Sequence, residues 1–175
     1  MKEKTLISQT VFTGRIITVK VDRVELVNGR TSSREVVLHP GAVAILPIFE
    51  NNDIVLVKQF RYPVGEELLE VPAGKLDQGE SAEMCALREL REETGLVSRK
   101  LSYLGFIYTS PGFSNEKIHL YLAQDLIQLE QQLESDEILE TVRLPLEEAL
   151  KMCKEGKIID AKTVVLISLL SLKRG

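Results

Sequence analysis

Apolar and polar positions fall into short blocks whose period changes along the chain. Segments 15–27 and 33–39 are rich in Val, Ile and Leu with partial alternation, the period of half-buried strands. Asn28-Gly29 between them is a dipeptide favoured in tight hairpin turns. The run Ala42–Ile48 is apolar throughout, as expected of a buried strand, and Asn51-Asn52-Asp53 turns the chain into a second run, Ile54–Phe60. A short strand, Glu67–Val71, leads into Pro72-Ala73-Gly74. Residues 82–94 take helical spacing, with Ser81 as N-cap and Gly95 just past the end. Strands are predicted again at 101–109 and 116–123, a polar loop at 124–136, and a strand at 138–143. A helix opened by Pro145 and stopped near Gly156 follows. Segment 161–172 supports two assignments, since its β-branched residues favour strand and its length and terminal position favour a packed helix. The order predicts an α+β protein with helices packed on a mixed sheet. No repeat, low-complexity tract or linker divides the chain.

Composition narrows the classes. A chain of 175 residues, 44 % apolar and 27 % charged, suits one soluble domain with a substantial core. No apolar run approaches the roughly 20 residues that span a bilayer, and the opening MKEKTLISQT lacks the apolar core of a signal peptide. The expectation is a cytoplasmic protein without membrane contact. The net charge of −4, from 26 acidic and 22 basic residues, argues against general nucleic-acid binding. Cys85 and Cys153 both lie in predicted helices and are expected to be buried free thiols. Two histidines, His39 and His119, exclude a histidine-rich metal site.

The predicted helix 82–94 carries an unfavourable arrangement. Glu89 stands three residues before Glu92 and four before Glu93, so their carboxylates share one broad face. At about 100° per residue that face also carries Ala82, Cys85 and Ala86, small residues that let a helix lie close to a neighbour. Like charges four apart repel by roughly 0.2–0.5 kcal/mol, and carboxylates at a helix C-terminus oppose its dipole by about 0.3–1 kcal/mol each. A hard cation would reverse both signs. A solvated acidic face, eased by Arg88 pairing with Glu92, accounts for the cluster equally well.

The wider spacing decides between them. Gly74 is followed after five residues by Glu80, and after seven more by Arg88-Glu89-Leu90-Arg91-Glu92-Glu93-Thr94-Gly95-Leu96. This segment, 74–96, resembles the Nudix box at all nine of its defining positions. The resemblance implies an α/β/α sandwich in which the box forms a loop, a helix and a loop. It also implies a divalent metal, Mg²⁺ with Mn²⁺ as a substitute ion, held by Glu89, Glu92 and Glu93. Arg88 would orient Glu92 or a neighbour, Gly74 and Gly95 would allow the flanking turns, and Glu80 would be structural.

Outside the box the chain is similar to the ADP-ribose pyrophosphatase branch. Val71-Pro72-Ala73-Gly74 resembles the segment whose residue before the glycine, here Ala73, offers its carbonyl to metal. Pro111, 16 residues beyond Gly95, matches a proline that marks the branch. Lys58-Gln59-Phe60-Arg61 resembles a strand ending in a substrate-binding arginine, here Arg61. The segments around Arg34 and Glu35 resemble an N-terminal region that crosses to a second subunit, making both residues candidates for the nucleotide end. Residues 1–40 are therefore expected to form an antiparallel β-hairpin region with dimer contacts, and residues 41–175 the hydrolase domain. A glutamate that activates water is expected at Glu137, with Glu134 as the alternative. Glu116 is a candidate metal or ribose contact.

The implied reaction is Mg²⁺-dependent hydrolysis of ADP-ribose to AMP and ribose 5-phosphate by a homodimer. Two other functions fit the same residues. One is a hydrolase of GDP-mannose or another nucleotide sugar. The other is a catalytically idle Nudix domain that senses a nucleotide.

Overall fold

The computed structural model describes residues 2–132 and 138–174. The chain divides into two compact units, Met1–Gly41 with Tyr108–Lys117, and Ala42–Ile107 with Ile118–Gly175. The first unit is built on three antiparallel strands in sequence order, β1 (Lys4–Thr13), β2 (Thr18–Glu25) and β3 (Thr31–Leu38). The Asn28-Gly29 turn joins β2 to β3: Leu26 N donates to Arg30 O at 2.7 Å, and Gly29 takes φ 78°. β1 had no counterpart in the hydrophobic pattern. Its register against β2 shifts between Thr5 and Ile7 and again between Thr10 and Phe12. Each bulge resets which face a side chain occupies, so the alternation is lost from the sequence.

The second unit holds β4 (Ala42–Pro47), β5 (Asp53–Arg61), β6 (Glu66–Glu70), β7 (Ala73–Lys75), α1 (Ala82–Thr94), most of β8 (Leu96–Tyr108) and β9 (Lys117–Gln128), then β10 (Leu139–Pro145), α2 (Leu146–Lys154) and α3 (Ala161–Arg174). One sheet has the order β7-β4-β9-β8, with β4 parallel to β9 and antiparallel to β7. The other is antiparallel, β10-β5-β6.

Residues of β4 point alternately into two cores. Ala42, Ala44 and Leu46 pack with Leu146 and Ala149 of α2 and Leu166, Ile167 and Leu170 of α3. Val43 and Ile45 pack with Cys85, Ala86 and Leu90 of α1. β9 does the same, sending Ile118, Leu120 and Leu122 one way and Tyr121 and Ala123 the other. A strand covered on both faces needs apolar side chains at every position, which is why Ala42–Ile48 reads as an unbroken run. The mixed sheet between helices is the expected α/β/α sandwich.

Three expectations are corrected or resolved. Segment 161–172 is helical despite its β-branched residues. Thr163, Leu166, Ile167 and Leu170 all face the core at helical spacing, and Asp160 caps the first turn by accepting from Thr163 N at 3.0 Å. The polar loop expected at 124–136 begins only after Gln128, because β9 continues through Gln124 and Asp125. Asp125 has φ 50°, a local break that interrupts the strand's alternation. Pro145 is the last residue of β10 and the N-cap of α2, and the helix proper begins at Leu146.

Candidate active site

The box helix α1 is delimited as its sequence predicts. Ser81 Oγ accepts from Met84 N at 3.2 Å, and Gly95 closes the helix at φ 70° with its N–H donated to Arg91 O at 2.8 Å. The face with small residues is the packed one: Cys85 and Ala86 are fully buried, Glu89 is 7 % exposed and Glu93 3 %. Burial pushes the Cys85 thiol up to about 12, and its Sγ–H donates to Lys75 O at 3.3 Å, so it stays an uncharged packing group. Cys85 and Cys153 are both free thiols.

The acids gather on the backbone of β7. Ala73 N donates to Glu93 Oε2 at 3.1 Å. A methyl group added at Gly74 would lie 1.9 Å from Glu89 Oε1, so the missing side chain is what lets that carboxylate reach the strand. Arg88 binds the other acids together. Its Nη1 donates to Glu89 Oε1 at 2.7 Å and Glu92 Oε2 at 2.9 Å, while Nε and Nη2 donate to Glu80 at 2.9 and 3.0 Å. The Arg88 hydrogen bonds, helped by the Asp77 N–H and opposed by burial, hold the Glu80 carboxyl down at about 2. Its partners raise the Arg88 guanidinium further above its ordinary value.

A stability consequence follows from that depression. A carboxyl whose folded pKa is about 2 against an ordinary 4.5 stabilises the fold fully above about pH 5 and progressively less as the pH falls toward 2. The thermal midpoint should therefore drop across that window, and Glu80→Gln should flatten this part of the profile. An unchanged acid limb in the variant would show that the Arg88–Glu80 pair contributes nothing to it.

Among the described residues, no three His, Cys, Asp or Glu side chains stand together as a ready metal cage. Arg88 supplies the positive charge for Glu89 and Glu92, and Glu93 is turned toward the Ala73 N–H. The donor chemistry nonetheless suits a hard divalent cation. It consists of carboxylate and backbone oxygens only, with two carboxylates buried and a glycine gap that admits one of them to the strand.

The C-terminal carbonyls of α1 are met from the far end of β9. Gln128 Nε2 donates to Thr94 O at 3.1 Å, Leu129 N to Gly95 O at 2.7 Å, Gln132 N to Glu92 O at 3.2 Å, and Gln131 Nε2 to Glu93 O. These groups satisfy carbonyls that a helix end leaves without partners. They also dock residues 128–132 on the helix that carries the acids. Sequence patterning missed them, because glutamines in a polar stretch carry no periodic signal.

Arg61, at the end of β5, donates through Nε and Nη2 to both oxygens of Glu70, each at 2.7 Å. Glu70 is 1 % exposed and also receives Lys162 Nζ. Neither Glu70 nor Lys162 was singled out by motif or spacing. Ala73, Gly74, Glu80, Arg88, Glu89, Glu92 and Glu93 thus form one connected group in the second unit, which also holds Arg61 and Gly95.

Arg34, Glu35, Pro111 and Glu116 belong to the first unit. There Arg34 pairs with Glu3 at 2.6 Å, and Glu35 is exposed on β3 opposite Val21. Pro111 is exposed, and Glu116 accepts from the Thr109 hydroxyl at 2.6 Å. Glu134 and Glu137 lie outside the described residues.

The family described as NUDIX domain matches residues 38–166, and that described as Nucleoside diphosphate sugar hydrolase N-terminal domain matches residues 3–37. The chain belongs to the Nudix family, whose hydrolases generally use divalent cations, as the box resemblance implied. It is 46 % identical over 177 residues to an ADP-ribose pyrophosphatase of Bacillus subtilis (strain 168), a match covering 100 % of this chain and 96 % of that one. It is also 46 % identical over 176 residues to a methanol dehydrogenase activator of Bacillus methanolicus, covering 99 % and 95 %. A crystal structure described as an ADP compounds hydrolase shares the fold at a TM-score of 0.87 and 28 % identity, covering 98 % of this chain and 93 % of that one.

Proposed function

We propose that the protein hydrolyses the pyrophosphate bond of ADP-ribose to AMP and ribose 5-phosphate with Mg²⁺. The observation that carries this is the pair of buried carboxylates, Glu89 and Glu93, drawn against the β7 backbone of an intact Nudix box. The full-length likeness to an ADP-ribose pyrophosphatase supports the choice of substrate. Glu89, Glu92, Glu93 and the Ala73 carbonyl hold the cation. When bound, it neutralises phosphate charge and makes a ligated water more acidic. Arg88 keeps Glu89 and Glu92 oriented, with Glu80 anchoring Arg88 from its other edge. Arg61 is 39 % exposed and leaves its Nη1 edge outside the Glu70 pair, a donor for a substrate phosphate. Glu137, with Glu134 as the alternative, takes the proton from the attacking water. Arg34, Glu35, Pro111 and Glu116 contribute to the nucleotide and ribose ends.

The working form in this proposal is a cytoplasmic homodimer that binds neither nucleic acid nor membrane. Every residue of β1 is exposed in the single chain, Leu6, Ile7, Val11 and Phe12 among them, and an apolar face of that kind supports association through residues 1–40. No described helix is long and apolar enough to cross a membrane.

Incubation with ADP-ribose, GDP-mannose and NADH, each with Mg²⁺, tests the proposal by product analysis. AMP and ribose 5-phosphate should form fastest from ADP-ribose, EDTA should stop the reaction, and Mn²⁺ should restore it. Faster cleavage of GDP-mannose, or ligand-induced stabilisation without product, would replace this function with one of its rivals. The equal identity to the Bacillus methanolicus protein supports a second role, activation of a dehydrogenase, tested by adding the chain to methanol dehydrogenase and following its rate.

A further inference from the structure

Four charged side chains meet where β5, β6 and α3 come together. Glu70 is 1 % exposed and shares one oxygen, Oε2, between Arg61 Nη2 and Lys162 Nζ. Lys162 also donates to Asp160 Oδ1 at 2.9 Å, while Asp160 Oδ2 accepts from the Thr163 hydroxyl at 2.6 Å. Thr163 Oγ1 in turn accepts from Val71 N at 2.8 Å, two residues before the Ala73 N–H that binds Glu93. Lys162 lies in the first turn of α3, where a cation opposes the helix dipole and where no acidic residue is present. Two carboxylates offset it there, the capping Asp160 and the buried Glu70. With Asp160 counted, two cations face two carboxylates here, and without Lys162 both carboxylates would act on Arg61 alone and lower its attraction for another anion.

We infer that Lys162 and Glu70 are positioning residues that fix where Arg61 presents its guanidinium to the substrate diphosphate. This rests on the proposed role of Arg61 as a phosphate donor. Neither residue touches substrate. Glu70 holds the Nε–Nη2 edge of the guanidinium, and Lys162 balances Glu70 from the α3 side. Removing the Lys162 ammonium should leave Arg61 as the main neutraliser of Glu70 and weaken its hold on phosphate.

The test is a double-variant cycle of Arg61→Ala and Lys162→Met, with Lys162→Arg as the conservative control. ADP-ribose affinity is read by calorimetry in EDTA, and kcat and KM are read with Mg²⁺. Each single variant should weaken binding and raise KM by about tenfold with kcat changed little, and the double variant should be no worse than Arg61→Ala. Lys162→Arg should recover most of the affinity. Thermal melts report whether each variant folds, and Lys162→Gln replaces Lys162→Met if that variant does not. Unchanged affinity in a folded Lys162 variant, or effects that multiply in the double variant, would overturn the inference. Unchanged affinity in Arg61→Ala would overturn it too, by removing the phosphate role of Arg61. A chain that binds ADP-ribose as expected through this cycle but never cleaves it would contradict the proposed activity alone.

Discussion

Glu93→Gln should lower turnover of ADP-ribose by about 10³-fold or more while the thermal midpoint of the metal-free protein does not fall. The two halves of that expectation have separate causes. Glu93 is 3 % exposed, and its Oε2 accepts from Ala73 N at 3.1 Å. Glutamine has nearly the same shape and keeps a carbonyl oxygen for that hydrogen bond, so packing is conserved. What disappears is the charge, whose attraction to Arg61 is offset in the free protein by its place one turn from Glu89 and at the unfavourable end of α1. A stability cost without an activity cost would mean that Glu93 serves the fold and not the reaction. Initial rates at saturating Mg²⁺ with parallel circular-dichroism melts separate the cases, and near-normal kcat would exclude Glu93 from the chemistry.

The second large effect is expected from a single methyl group. In Gly74→Ala the new carbon would sit 1.9 Å from Glu89 Oε1 and 2.0 Å from its Cδ. The backbone at Gly74 is not in the left-handed region, so alanine is compatible with its conformation and the whole conflict falls on Glu89. That side chain is flexible at its end but buried, and its oxygen is held by Arg88 at 2.7 Å. It must swing off the strand, and the cation loses a ligand. We expect about a 10²-fold loss of turnover and a higher Mg²⁺ requirement, with a smaller change in the melting temperature. Combining the substitution with Glu89→Ala should add little, because both act through the same carboxylate. Full activity in Gly74→Ala at low Mg²⁺ would show that Glu89 does not need its place on β7.

These two expectations mark how far the sequence is legible. The box helix could be placed to the residue, because its start, its end and the shared face of its acids depend on bonds and angles within a few residues: Ser81 at one cap, Gly95 at the other, and three glutamates three and four apart. The unbroken apolar run of β4 was visible for a related reason, since burial on both faces leaves no room for polar side chains. β1 was hidden by its two bulges and α3 by β-branched residues whose helical state depends on packing and on the Asp160 cap.

For the site, sequence alone determined that three carboxylates share a helix face behind a glycine at the box spacing, because helical geometry follows from local backbone preference. Tertiary structure decided which of them are buried, that the Ala73 N–H meets Glu93, and that Glu70 is shared between Arg61 and Lys162, the latter 92 positions further along the chain. Charges pair through space, and no period along the chain records which distant strand or helix will bring the partner.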